Sequence, residues 1–203
     1  MVKVTSLLLA LAILSLSVAS ADATIIVFTD RTLWTTALTG STIITEDFSG
    51  PGLTAPGLSV STTNGSISGG VWMDVVAHGG ASTTWSIAGG TTGFGGDWDL
   101  SPNGAGQGIE FVLTYVGGGT EAVPSEVPNS YTGQFFGFTS TNAFLSVFSD
   151  GGTQAPVGDQ ETYNLDNLSF AQAKNNVVPE PGTLLLLGSG LAGLVAWRRR
   201  KTA

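Results

Sequence analysis

The sequence predicts an all-β fold: a two-sheet antiparallel sandwich with one short N-terminal helix, flanked by a signal peptide and a C-terminal membrane helix. Three observations carry the prediction. Gly, Thr, Ser and Val dominate the middle of the 203 residues, where helix formers are scarce. Short runs of alternating polarity recur there between glycine- and asparagine-rich turns. An apolar segment of a different character lies near each end. The expected domains are a signal peptide (1–21), a β-sandwich (22–170), a linker (171–177) and a C-terminal segment (178–203) that holds the membrane helix.

Residues 1–21 have the build of a secretory signal. Lys3 precedes an apolar run over 7–18, and Ala19-Ser20-Ala21 forms a small-residue cleavage site. Cleavage after Ala21 is favoured and after Ala23 remains open; a retained helix is the alternative. Residues 24–29 (TIIVFT) form a first strand. Asp30 then caps a helix over 31–38 that Gly40 stops. Trp34 and Leu38, four apart, would pack that helix onto the sheet. Short strands follow over 43–48, 58–63, 71–76 and 84–88, with Asn64-Gly65 as a hairpin signal between two of them. Residues 108–116 (GIEFVLTYV) alternate cleanly, with Ile109, Phe111, Leu113 and Tyr115 on one face. Residues 133–139 and 143–148 make another pair, and 163–170 closes the domain. About ten short strands at this spacing suit a jelly roll. Residues 117–129, with three glycines and two prolines, read as a long exposed loop.

Charge narrows the function. Residues 22–178 hold fourteen carboxylates against two cations, Arg31 and Lys174, a formal −12. Such a body repels nucleic acid and anionic lipid and suits neutral glycans, cations or plain solubility. The chain has no cysteine, so an exported domain would be stabilised by its core and not by disulfides. Its one histidine, His78, lies in a His-Gly-Gly loop with no nucleophile-elbow motif, which argues against a Ser–His–Asp triad. A transition-metal site is not expected without cysteine or a second histidine. A paired-carboxylate glycosidase could use Asp97 and Asp99, which flank Trp98; Asx turns are the structural alternative. Trp72, Trp85 and Trp98 could stack on pyranose faces or fill the core. Trp98, ringed by Gly96, Asp97 and Asp99, is the best exposed candidate.

The C-terminal segment is the most specific part of the chain. Val178, Pro179, Glu180, Pro181 and Gly182 form an extended arm, because proline fixes φ and removes a donor. An uncharged run of 15 residues over 183–197 follows. As a helix it would span about 22 Å, short against a hydrocarbon core of about 30 Å. Arg198, Arg199, Arg200 and Lys201 end it, with Trp197 where an interfacial aromatic belongs. These cations would stay cytoplasmic and leave everything upstream outside. A buried core helix is the alternative by length alone.

This arrangement of Val-Pro-Glu-Pro-Gly, leucine-rich helix and terminal arginine cluster resembles the PEP-CTERM sorting signal of Gram-negative bacteria. The resemblance implies recognition of Val178, Pro179, Glu180 and Pro181 by an exosortase, a membrane-embedded transpeptidase. It also implies export through the Sec machinery and signal peptidase, transient anchoring by the helix and its basic stop, and delivery to a surface rich in exopolysaccharide or biofilm matrix. A permanent, uncut anchor is the other reading.

The body, through Glu46-Asp47-Phe48, residues 94–98, Phe136-Gly137-Phe138 and residues 165–168, resembles jelly-roll ectodomains of PEP-CTERM proteins, similar in shape to lectin-like and carbohydrate-binding modules. By that likeness Glu46, Asp47, Asp166 and Asn167 would hold a structural Ca²⁺; turn capping is the alternative. No other cofactor is expected. Two functions remain: a non-catalytic exported surface or matrix protein, possible partner of a glycan, and a secreted glycosidase with the same sorting signals. The first is expected, and the second is its alternative.

Overall fold

A computed structural model of the chain describes residues 23–103, 106–154 and 160–172. The expected signal peptide, with Ala19 and Ala21, and the C-terminal sorting segment lie outside the described residues. Ten strands and one short helix follow in order: β1 (Ile25–Phe28), α1 (Arg31–Ala37), β2 (Thr42–Glu46), β3 (Leu58–Thr62), β4 (Ser66–Ser68), β5 (Val71–Val76), β6 (Thr83–Asp99), β7 (Ile109–Tyr115), β8 (Thr120–Ala122), β9 (Thr132–Gly151) and β10 (Glu161–Gln172). Every strand pair is antiparallel, and the all-β fold with one short helix stands.

Two long strands join the layers. β6 and β9 run through both sheets, so hydrogen bonding is continuous across all ten strands. The second half of β6 and the first half of β9 pair with each other, flanked by β10 on one side and β1 on the other. β5 and β2 extend that layer past β10, and β4 borders β5. The first half of β6 and the second half of β9 lie between β3 and β7, with β8 at the edge. The bend in β6 falls at Gly89 and Gly90, both at φ +80°, where glycine carries no Cβ penalty.

The sequence breaks β6 and β9 into shorter pieces. It expects separate strands over 133–139 and 143–148, which are one strand of 20 residues. It leaves 91–99 as loop because Gly93, Gly95 and Gly96 look like breakers. The expected Asn64-Gly65 hairpin is also displaced. β3 pairs with β6 and not β5, so the Asn64-Gly65 turn crosses between layers. The true two-residue hairpin is Gly69-Gly70, at φ +63° and +84°, between Ser68 and Val71. β8 forms inside the expected loop over 117–129. β10 continues to Gln172, two residues into the expected linker, with Ala171 buried opposite Ile43.

The core lies between the layers and is largely aromatic. Trp72 meets Trp85 edge-on at 5.0 Å, and Trp98 meets Phe111 edge-on at 5.4 Å. Phe111 also packs on Phe136 and Phe138 across the sandwich. Such pairs add about 0.5–1.5 kcal/mol beyond the area they bury. A second, smaller cluster sits on the outer face of the β10–β6–β9 layer, where Trp34 and Leu38 rest against Phe135 and Ala171. Asp30 starts the helix as expected, its Oδ1 accepting from Leu33 N at 2.9 Å.

Candidate functional site

Strand alternation decides the fate of the sequence-picked residues. In the second half of β6, Phe94, Gly96 and Trp98 point inward, and Gly95, Asp97 and Asp99 point out. Trp98 is therefore wholly buried, a correction to its expected exposure. Its Nε1 donates to the Phe136 carbonyl at 3.1 Å, and its ring packs on Phe111 and Tyr163. Trp72 and Trp85 are core residues as well.

The four expected calcium ligands are not brought to one point. In β2, Thr45 faces outward to Ser169, so Glu46 faces inward and is fully buried. Its carboxylate accepts from the amides of Phe48 at 3.0 Å, Thr54 at 2.5 Å and Ala55 at 2.7 Å. It pins the loop over 48–55, and Phe48 adopts φ +53° to enter the core. Asp47 is exposed and accepts from Ser49 N and Oγ, which hold its pKa below the usual value. Asp166 faces outward, opposite Asp97, and accepts from Asn167 N. Asn167, at φ +49°, forms a bulge that carries β10 past this point. Glu46 and Asp166 thus lie on opposite faces of one layer.

Asp97 and Asp99, the pair a glycosidase could use, do share a face of β6, but each is engaged. Asp97 pairs with Arg31 and accepts from Asn167 Nδ2 at 3.0 Å. Asp99 accepts from Ser101 N and Oγ in an Asx turn.

The chemistry-bearing corner lies elsewhere, at one end of the β7–β9 pair. Register puts Glu110 directly opposite Asp150. The loop after β5 lays His78 beside them, its Nδ1 at 3.5 Å from Glu110 Oε1 and 3.2 Å from the Gly151 carbonyl. Asp150, 7% exposed, accepts from Gly79 N and Gly151 N. A groove of about 590 Å³ opens from Glu110 past Val123, Pro124 and Glu126 to Thr153 and Gln154. Burial alone would raise the Glu126 pKa, but Thr153, Gln154 and the nearby His78 hold it below the ordinary value. Among the described residues, His78, Glu110 and Asp150 are the one group of three or more metal-ligating side chains with atoms mutually within 4.8 Å. The sequence gives no notice of it, because Glu110 and Asp150 are 40 residues apart and meet only through register.

Val178, Pro179, Glu180, Pro181 and the cations Arg198, Arg199, Arg200 and Lys201 lie outside the described residues. Among the described residues no helix is long and apolar enough to cross a membrane. Residues 177–201 match the PEP-CTERM protein-sorting motif. The chain carries that motif, which indicates an exported protein, anchored in the membrane and then processed. No curated protein matches the chain. Among solved structures, one similar chain is a mutant of CBM29-2, studied for ligand recognition by family 29 carbohydrate-binding modules. It is 12% identical with a TM-score of 0.45, over 79% of this chain and 99% of that one. Another is CpGH89CBM32-4 of Clostridium perfringens in complex with GlcNAc-α-1,4-galactose. It is 11% identical with a TM-score of 0.36, over 55% and 90%. Identities this low carry no ligand across.

Proposed function

We propose that this chain is a non-catalytic, exported surface or matrix protein of a Gram-negative bacterium, cut by an exosortase and delivered into extracellular polysaccharide. The sorting motif over residues 177–201 carries this reading. A Pro-Glu-Pro sequence beside a short apolar segment suits a substrate of an enzyme within the membrane. The acidic body supports it too: a strongly negative surface stays soluble outside the cell and avoids anionic lipid and nucleic acid.

The state of the carboxylates favours binding or structure over catalysis. Glu46, Asp97, Asp99 and Asp150 each spend their oxygens on amides, hydroxyls or Arg31. A secreted glycosidase remains the second reading because one groove is lined by two acids, Glu110 and Glu126. Two measurements separate these. Mass spectrometry of protein recovered from outside the cell should show a C-terminus lacking residues 183–203, and deletion of the exosortase should restore the intact end. Secreted protein incubated with the cell's own polysaccharide should be retained without releasing sugar; release of reducing ends would favour the enzyme.

A further inference from the structure

His78, Glu110 and Asp150 bring one imidazole and two carboxylates to a single corner. Like charges directly opposite on neighbouring strands destabilise a sheet, yet register sets Glu110 against Asp150. The Gly151 carbonyl adds a neutral oxygen 3.2 Å from His78 Nδ1. On the opposite face of the β7–β9 pair, the face that Ile109 shares, Gln107 packs against Gly151. The Gln107 Oε1 is sealed from solvent and has no hydrogen-bond partner. It closes on Gly151 from the side where the His78 amide also lies: a Cβ there would stand 2.9 Å from that oxygen and 2.6 Å from His78 N. Only glycine lets these groups approach.

We propose that His78 Nδ1, the Glu110 carboxylate and the Asp150 carboxylate form a site for a divalent cation of the zinc class, with one position open to solvent. One imidazole nitrogen and two carboxylates suit a borderline-soft ion better than calcium, which takes six to eight oxygens. The 3.5 Å between His78 Nδ1 and Glu110 Oε1 is the spacing of neighbouring ligand atoms on one ion whose bonds are about 2.0–2.2 Å long, and the ligand atoms of all three side chains lie within 4.8 Å of one another. The amides of Gly79 and Gly151 orient the Asp150 carboxylate as outer-shell partners do at metal sites. The site is separate from the sorting function and stands or falls without it.

The test uses the full chain in detergent, purified without a histidine tag, so that His78 is the only imidazole. Zn²⁺ is titrated while the melting temperature and the single histidine signal in the NMR spectrum are followed, with Ca²⁺ and Mg²⁺ in parallel. At a hundredfold excess over Kd, Zn²⁺ should raise the melting temperature by about 5–10 °C and shift the histidine signal. His78→Ala and Glu110→Gln, both at partly exposed positions, should fold and weaken Zn²⁺ binding at least tenfold. Equal affinity in wild type and His78→Ala would overturn the site. So would an unmoved histidine signal, or stabilisation by Ca²⁺ alone.

Discussion

Arg31 and Asp97 meet at 2.9 Å between the first turn of α1 and the outer face of β6. The same guanidinium donates to Ser169 Oγ and to the Asn167 carbonyl, and lies 4.6 Å over the Phe135 ring. Arg31 is the one Lys or Arg among the described residues, so the helix is fastened by a charge that nothing nearby duplicates. The pair is about a third exposed, which moderates its worth. Arg31→Ala should cost about 2 kcal/mol in denaturant unfolding. Arg31→Lys should recover only part of that, because an ammonium cannot reproduce the planar fork.

Trp98→Ala should behave as a core truncation, costing about 3–5 kcal/mol. Trp98→Phe should cost less, although it frees the Phe136 carbonyl that Nε1 now satisfies. Neither change should alter retention on polysaccharide beyond the loss of folded protein. A binding assay at a temperature where the variants are still folded checks this.

Trp98 also shows how far the sequence could be read. Its neighbours, glycine and aspartate, are the residues of an exposed loop, and the composition of residues 94–99 offers no strand. What makes the stretch a strand is the partner: Phe135 and Phe136 pair with Asp97 and Gly96 from 38 and 40 residues further on, and α1 needs a bare surface to lie on. Short-range patterns were legible, such as the alternation of β7 and the Asp30 cap. The bend of β6 and β9 through both layers was not, nor was the meeting of Glu110 with Asp150. Both follow from long-range register, which leaves no trace in local periodicity.

Glu161 makes stability depend on pH. It is fully buried, its Oε2 accepting from Gly108 N at 2.7 Å and its Oε1 unpaired. Burial raises its pKa, only partly offset by the Gly108 and Thr162 amides. A carboxyl with a raised folded pKa stabilises fully below its unfolded value of about 4.5 and loses that contribution as pH rises through the folded value. Glu161→Gln should therefore gain on wild type as pH climbs above 4.5. Glu126 acts in the opposite direction: its pKa is lowered, so its contribution fades as pH falls through the folded value. Melting curves from pH 2 to 8 on Glu161→Gln and Glu126→Gln should show the first gaining on wild type above about pH 4.5 and the Glu126 contribution fading below it, two slopes of opposite sign.

Glu46→Gln tests the buried loop staple. The amide can replace only part of what the carboxylate accepts from Phe48, Thr54 and Ala55, and it brings donors toward donors. The cost should be about 3 kcal/mol. Hydrogen exchange should speed up first at Thr54 and Ala55, ahead of the sheet.

The glycines under α1 make the sharpest packing prediction. Gly95 and Gly137 face each other across the β6–β9 pair, on the side that α1 covers. A Cβ on Gly95 would stand 2.8 Å from Gly137 Cα and 2.8 Å from the Phe135 ring, and one on Gly93 would meet Leu38 at 2.6 Å. The bare surface is what lets Phe135 pack beneath Trp34, the rings tilted by 56° with centroids 5.6 Å apart, while Trp34 Nε1 reaches through to the Phe138 carbonyl at 3.1 Å. Gly95→Ala should cost about 1–3 kcal/mol by overpacking and should loosen α1, seen as faster amide exchange over residues 33–38. Gly89→Ala is the control, since no atom lies within 4 Å of its Cβ but its φ is +80°. It should cost about 1 kcal/mol through the backbone alone and leave exchange in α1 unchanged. Equal loosening of α1 in both variants would show that the helix is not seated by that bare surface.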